Sequence, residues 1–133
     1  MNILEVNQSE AKLHQTVSHP LSNIISDGFY VQGKPHPRLS GTFPLLLGEI
    51  CRKRGGLTPP EAIHKITDLP AQRFRIPKRG RLAPGCFGDV TVLDPSNVGS
   101  PATYENPKLG PVGIRRVFRN GRRAFGEEEV WTQ

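Results

Sequence analysis

Asn23-Ile24-Ile25-Ser26-Asp27-Gly28 is the stretch on which the reading of the fold turns. A short β-branched run that stops at an Asp-Gly pair predicts a buried strand passing into a turn. Upstream, Asn7 or Ser9 can cap a helix, and Glu10 adds negative charge to its first turn, where the macrodipole favours it. Leu13 and Val17 share one face of that helix, and His19-Pro20 ends it, because a residue before proline is pushed out of the helical region. A strand flanked by helices expects parallel neighbours on both sides. This sequence offers only one such strand, so the stretch reads as part of a larger sheet.

Downstream, residues 29–42 show no periodicity. Gly33, Pro35, Pro37 and Gly41 punctuate them, and they read as a loop long enough to have a job of its own. Phe43-Pro44 is predicted to open a helix with Leu45, Leu46, Leu47, Ile50 and Cys51 on its apolar face. Arg52, Lys53 and Arg54 suit its C-terminal end before Gly55-Gly56. Thr58-Pro59-Pro60-Glu61 is a stronger signal still. It sets a capping hydroxyl, prolines in the first turn and a carboxylate at the capping-box position. Ala62, Ile63 and Ile66 are the expected inner face of that helix, and residues 69–74 read as a further helical turn begun by Pro70.

After residues 75–85 the character becomes β. Residues 89–94 alternate as a strand, and residues 95–111 are a second long loop. Asn120-Gly121 joins two runs, 114–119 and 122–125, as a hairpin whose turn residues both tolerate positive φ. Arg115, Arg116, Arg119, Arg122 and Arg123 alternate across this hairpin as its solvated face.

With 133 residues, 35% of them hydrophobic, 14 Gly and 13 Pro, the chain suits either a small core or burial against something else. The formal charge of +6 is read as a solvated basic surface, since aromatic residues are not interleaved with the cations as stacking platforms would be. Cys51 and Cys86 lack CxxC spacing; two free thiols are the default, with a disulfide left open. No apolar run reaches the roughly 20 residues of a membrane span, and the first residues lack the pattern of a signal peptide. A cytoplasmic protein is the expectation. His14, His19 and His64 show no metal-ligand spacing, and His36 reads as a loop-shaping residue.

Several linked motifs carry a resemblance. Ser26-Asp27-Gly28, His36-Pro37-Arg38, Gly41-Thr42-Phe43-Pro44 and Leu47-Gly48 are followed by Leu57-Thr58 and Glu61-Ala62. Further on come the segment from Thr67 to Phe74, Gly80-Arg81-Leu82-Ala83-Pro84-Gly85, Asp94-Pro95, Tyr104-Glu105-Asn106-Pro107 and Asn120-Gly121. Nearly the whole chain resembles, in order, the C-terminal region of the D-aminoacylases, or N-acyl-D-amino-acid deacylases, of the amidohydrolase superfamily.

That resemblance implies an α/β plus all-β architecture. Residues 1–80 would be the last strand and C-terminal helices of a metal-dependent hydrolase (β/α)₈ barrel, and residues 81–133 the C-terminal strands of a small β-domain, both incomplete. Catalytic groups in such barrels sit at the C-terminal ends of strands, where Asp27 falls. By the resemblance Asp27 is the carboxylate that takes a proton from zinc-activated water and returns it to the leaving nitrogen. It would also touch a weakly held second metal, only in a complete barrel. Arg38 matches an arginine that holds the substrate carboxylate, a task suited to its planar fork. On spacing alone, Asp27-Gly28 is a turn and Arg38 an exposed loop residue.

The family's metal-binding histidines and bridging cysteine have no counterparts in this sequence, and a catalytic zinc needs about three protein ligands. The expectation is therefore zinc in the complete family enzyme, none bound by this chain alone, and no activity by itself. The expected partners are the missing N-terminal barrel segment or a second copy, and an N-acyl-D-amino acid in the complete enzyme; membrane and nucleic acid are not expected. The alternatives are a non-catalytic interaction module or a basic nucleic-acid-binding protein.

Overall fold

A computed structural model describes residues 9–126. Helix α1 (Glu10–Ser18) starts at one of the two candidate caps, with Ser9 Oγ accepting the Lys12 N–H, and stops at His19. Asn7, the other candidate cap, lies outside the described residues.

The strand expected at residues 23–26 is not formed. A strand exists through its ladder, and the described residues supply no neighbour to build one. The segment is instead laced to the helices that follow it: Ile24 N–H donates to the Lys65 carbonyl, and Arg73 Nη1 to that of Leu21.

Residues 29–42 are not a structureless loop. Tyr30–Val31 (β1) pairs antiparallel with Lys34–Pro35 (β2) across Gln32-Gly33, where both residues have positive φ, 50° and 78°. Helix α2 then runs over Arg38–Leu45, starting five residues before the expected opening at Phe43-Pro44 and carrying Pro44 within it. The helix continues as a π-helical segment, Leu46–Lys53, in which the ladder is widened, as in the bond from Arg54 N–H to the Glu49 carbonyl. Pro44 lacks the N–H that a regular ladder would use, which accounts for a helix read from periodicity starting late.

Helix α3 (Pro59–Ile66) has the full capping box: Thr58 Oγ1 accepts the Glu61 N–H while the Glu61 carboxylate accepts the Thr58 N–H at 2.8 Å. The inner face differs from the expected one. Ala62 is buried, but Ile63 is exposed and Lys65 takes an inner position. Helix α4 is Asp68–Arg73.

The small core joins Val17 of α1, Leu46 and Cys51 of the π-helical segment, Leu57 and Ala62, with Ile24, Leu47, Ile50 and Ile66 against it. Leu45, expected on the apolar face, points to solvent.

The β part is an antiparallel sheet in the order β3 (Val90–Leu93), β4 (Ile114–Arg119), β5 (Arg122–Phe125). Its hairpin turn is the expected one, with Asn120 at φ 52° and Gly121 at φ 76°. Arg79 braces the turn: it pairs with the Asp89 carboxylate, donates to Asn120 Oδ1 at 2.8 Å and lies over the Phe87 ring. Arg115, Arg119, Arg122 and Arg123 face solvent, while Arg116 is half-buried.

The loop between β3 and β4 is clamped onto α2 and its π-helical extension. Arg52 Nη1 donates to the Pro95 and Val98 carbonyls at 2.8 and 3.0 Å, and Ser40 Oγ to that of Leu109. Gly48 permits this approach, since a Cβ there would stand 2.3 Å from the Val98 carbonyl oxygen. The clamp brings Tyr104 over the start of α2.

Candidate active site

Asp27 has φ 43°, in the left-handed region that few non-glycine residues adopt. Aspartate is among the residues that tolerate it, yet held strain of this kind gathers at working sites. Gly28 follows, packed so closely on α2 that a Cβ would lie 2.5 Å from the Leu39 Cα. The β1–β2 ribbon then turns the chain back, so Arg38 returns to the residue from which the ribbon set out.

The two site residues expected from the sequence meet. Arg38 Nη2 donates to Asp27 Oδ2 at 3.0 Å, with the Asp27 side chain 70% exposed and that of Arg38 35% exposed. The guanidinium also lies over the Phe29 ring at 4.8 Å. Arg38 Nε is shielded from solvent and has no hydrogen-bond partner among the described residues. The arrangement is a carboxylate open to solvent beside an arginine with one donor unspent. It can bind an anion at the guanidinium and exchange a proton at the carboxylate.

Behind them stand two residues to which the sequence assigned no chemistry. His36 Nδ1 accepts the Arg38 backbone N–H at 3.1 Å, the His36 backbone N–H donates to the Phe29 carbonyl at 3.0 Å, and the ring Nε2 lies 3.4 Å from the Tyr104 hydroxyl. The His36 and Tyr104 rings meet edge to face, 5.2 Å between centroids. Burial holds the imidazole below its ordinary pKa, and the Arg38 charge adds to the effect. Tyr104 lies 68 positions along the chain from His36, so no local spacing could have linked the two.

The remaining histidines are dispersed. His14 packs on Gly56, His19 Nδ1 accepts the Leu21 N–H, and His64 lies 3.7 Å from Asp68. Cys51 and Cys86 are free, and burial pushes the Cys51 thiol up. Among the described residues no three His, Cys, Asp or Glu side chains converge as a metal-binding group. A zinc ion that keeps a reactive water needs about three protein ligands, so this donor set does not fit zinc by itself. No helix among the described residues is long and apolar enough to cross a membrane.

Residues 24–125 match the sequence profile of the amidohydrolase family. The chain is 42% identical over 103 residues to a D-aminoacylase of Alcaligenes xylosoxydans xylosoxydans, covering 77% of this chain and 21% of the relative. It is 37% identical over 121 residues to an N-acyl-D-aspartate deacylase of the same organism, covering 91% of this chain and 24% of that one. The structure superposes with TM-score 0.86 and 37% identity on the N-acyl-D-glutamate deacylase from Bordetella bronchiseptica, solved with zinc and a phosphonate inhibitor that mimics the tetrahedral intermediate. That superposition covers 92% of this chain and 26% of the solved one. The chain thus spans about a quarter of the length of the relatives it matches.

Proposed function

The chain belongs to the amidohydrolase family, and on that premise we propose that it is the C-terminal segment of an N-acyl-D-amino-acid deacylase, supplying one wall of the active site. In this reading residues 23–26 become the last barrel strand once neighbouring strands lie beside them, and residues 81–133 contribute to the small β-domain. Asp27 accepts a proton from the attacking water and returns it to the amide nitrogen as the C–N bond breaks. Arg38 pairs with the carboxylate of the N-acyl-D-amino acid, binding it by its planar donor fork.

The 3.0 Å pair between Asp27 and Arg38 carries this reading. It sets a proton acceptor and an anion-binding group at one point, as hydrolysis of an acylated amino acid requires. Resting against each other, the two charges mask one another; an incoming carboxylate competes for the guanidinium and frees Asp27 for proton transfer. In this reading zinc is held by residues outside these 133, and the chain alone is inactive. Of the basic residues in the β part, Arg79 and Arg115 are tied to Asp89 and Asp94.

The test is reassembly. The 133-residue chain with zinc is expected to leave N-acetyl-D-glutamate and N-acetyl-D-aspartate intact. Combined with the preceding barrel segment of a related deacylase it is expected to hydrolyse an acyl-D-amino acid, and Asp27→Ala in the reassembled enzyme to lose about a hundred- to ten-thousand-fold in kcat. Full activity in reassembled Asp27→Ala removes Asp27 from the reaction; hydrolysis by the chain unaided overturns its dependence on a partner.

A further inference from the structure

Helix α2 starts with a difficulty. Its first backbone N–H groups have no intrahelical acceptor, and the residue at the N-cap, Pro37, has no side chain that can accept one. His36 supplies the acceptor instead, through Nδ1 to the Arg38 N–H. An imidazole nitrogen that accepts carries no proton, so the neutral ring holds its hydrogen on Nε2. That N–H faces the Tyr104 hydroxyl.

We propose that His36 is the positioning residue for Arg38, with Tyr104 bracing the imidazole in the tautomer that accepts at Nδ1. The proposal rests on the reading of Arg38 as the group that binds the substrate carboxylate. Three constraints converge on the arginine. Its backbone is tied to His36, its guanidinium lies over Phe29, and Phe29 is tied back to His36 by the bond from the His36 backbone N–H to its carbonyl. With the first turn of α2 held, the direction of the Arg38 side chain is set before a ligand arrives, which lowers the ordering cost of binding. Tyr104 extends the device to the loop between β3 and β4, so a residue far along the chain influences substrate affinity without touching substrate.

The experiment uses the 133-residue chain labelled with ¹⁵N and the reassembled enzyme in parallel. Long-range ¹H–¹⁵N correlation at pH 8 is expected to show His36 with its proton on Nε2, and Tyr104→Phe to weaken that preference. Hydrogen exchange of the Arg38 amide is expected to quicken about tenfold in His36→Ala, as one lost hydrogen bond allows. His36→Asn should restore most of the protection, because a carboxamide oxygen can accept an N–H two residues on. In the reassembled enzyme His36→Ala is expected to raise KM about five- to tenfold while kcat stays within about twofold, with His36→Asn recovering most of the loss. A wild-type ring protonated at Nδ1 overturns the proposal. So does an unchanged Arg38 amide and KM in His36→Ala when Arg38→Ala raises KM. If Arg38→Ala itself leaves KM unchanged, the carboxylate-binding role of Arg38 fails, and the tautomer and exchange measurements still decide whether His36 positions it.

Discussion

Replacing Lys65 with methionine tests how the segment leading to Asp27 is held. Lys65 is 5% exposed. Its ammonium donates to the His19 carbonyl and, at 3.2 Å, to that of Ser22, while its own carbonyl accepts the Ile24 N–H. Methionine keeps the apolar stem and removes the charge. His19 O retains the Ser22 N–H at 3.0 Å, so the main loss falls on Ser22 O. Two bonds from a charged donor contribute roughly 1.5–3 kcal/mol each. Against them stands the cost of burying the ammonium, which is several kcal/mol for a shielded ion. Burial lowers the Lys65 pKa, with Glu61 opposing and Arg73 adding to the shift, so the site hosts the charge imperfectly and much of that cost returns in the variant. A net destabilisation of about 1–2 kcal/mol follows, which for a chain of this size is a fall of roughly 4–8 °C in Tm. Thermal unfolding measures the total, and hydrogen exchange at Ile24 locates it, with faster exchange expected there. A Lys65→Met chain melting at or above the parent temperature refutes the reasoning, since it makes the buried ammonium a burden rather than a tether.

Two further outcomes follow from the packing and the charges. Gly48→Ala gains up to about 1 kcal/mol of helix propensity, but its Cβ meets the Val98 carbonyl oxygen at 2.3 Å and the Gly99 Cα at 3.1 Å; overpacking against backbone costs about 1–3 kcal/mol, so a lower Tm is expected and an equal or higher one would show the loop clamp to be soft. Asp89 is held below the ordinary carboxylate range, first by the Asn120 N–H and then by Arg79. Its folded pKa is the lower one, so it contributes stability above the unfolded value of about 3.9 that is lost as pH falls through the folded one; urea unfolding between pH 6 and 3 should lose stability less steeply in Asp89→Asn, and superimposable pH dependence in the two proteins would exclude the hairpin brace as a source of acid sensitivity.

The amino-acid sequence alone determined the features whose causes lie within a few residues. The Thr58–Glu61 box fixes a helix start because donor and acceptor sit three positions apart. Asn120-Gly121 makes its hairpin because both residues accept positive φ. The tertiary structure decided what depends on a distant partner. Residues 23–26 have strand-like side chains, yet form no ladder among the described residues because ladder bonds come from neighbours. Lys65 of α3 is buried because the carbonyls that receive its ammonium come from residues 19 and 22. Asp27 and Arg38 were named by resemblance, but their contact exists only because the Gln32-Gly33 turn folds the intervening ribbon back on itself. The contact between the His36 ring and Tyr104 exists only because a loop more than sixty positions away is brought to it. Local hydrogen bonds are chosen from a short menu that the sequence spells out; burial and side-chain pairing depend on which distant surfaces the folded chain brings together.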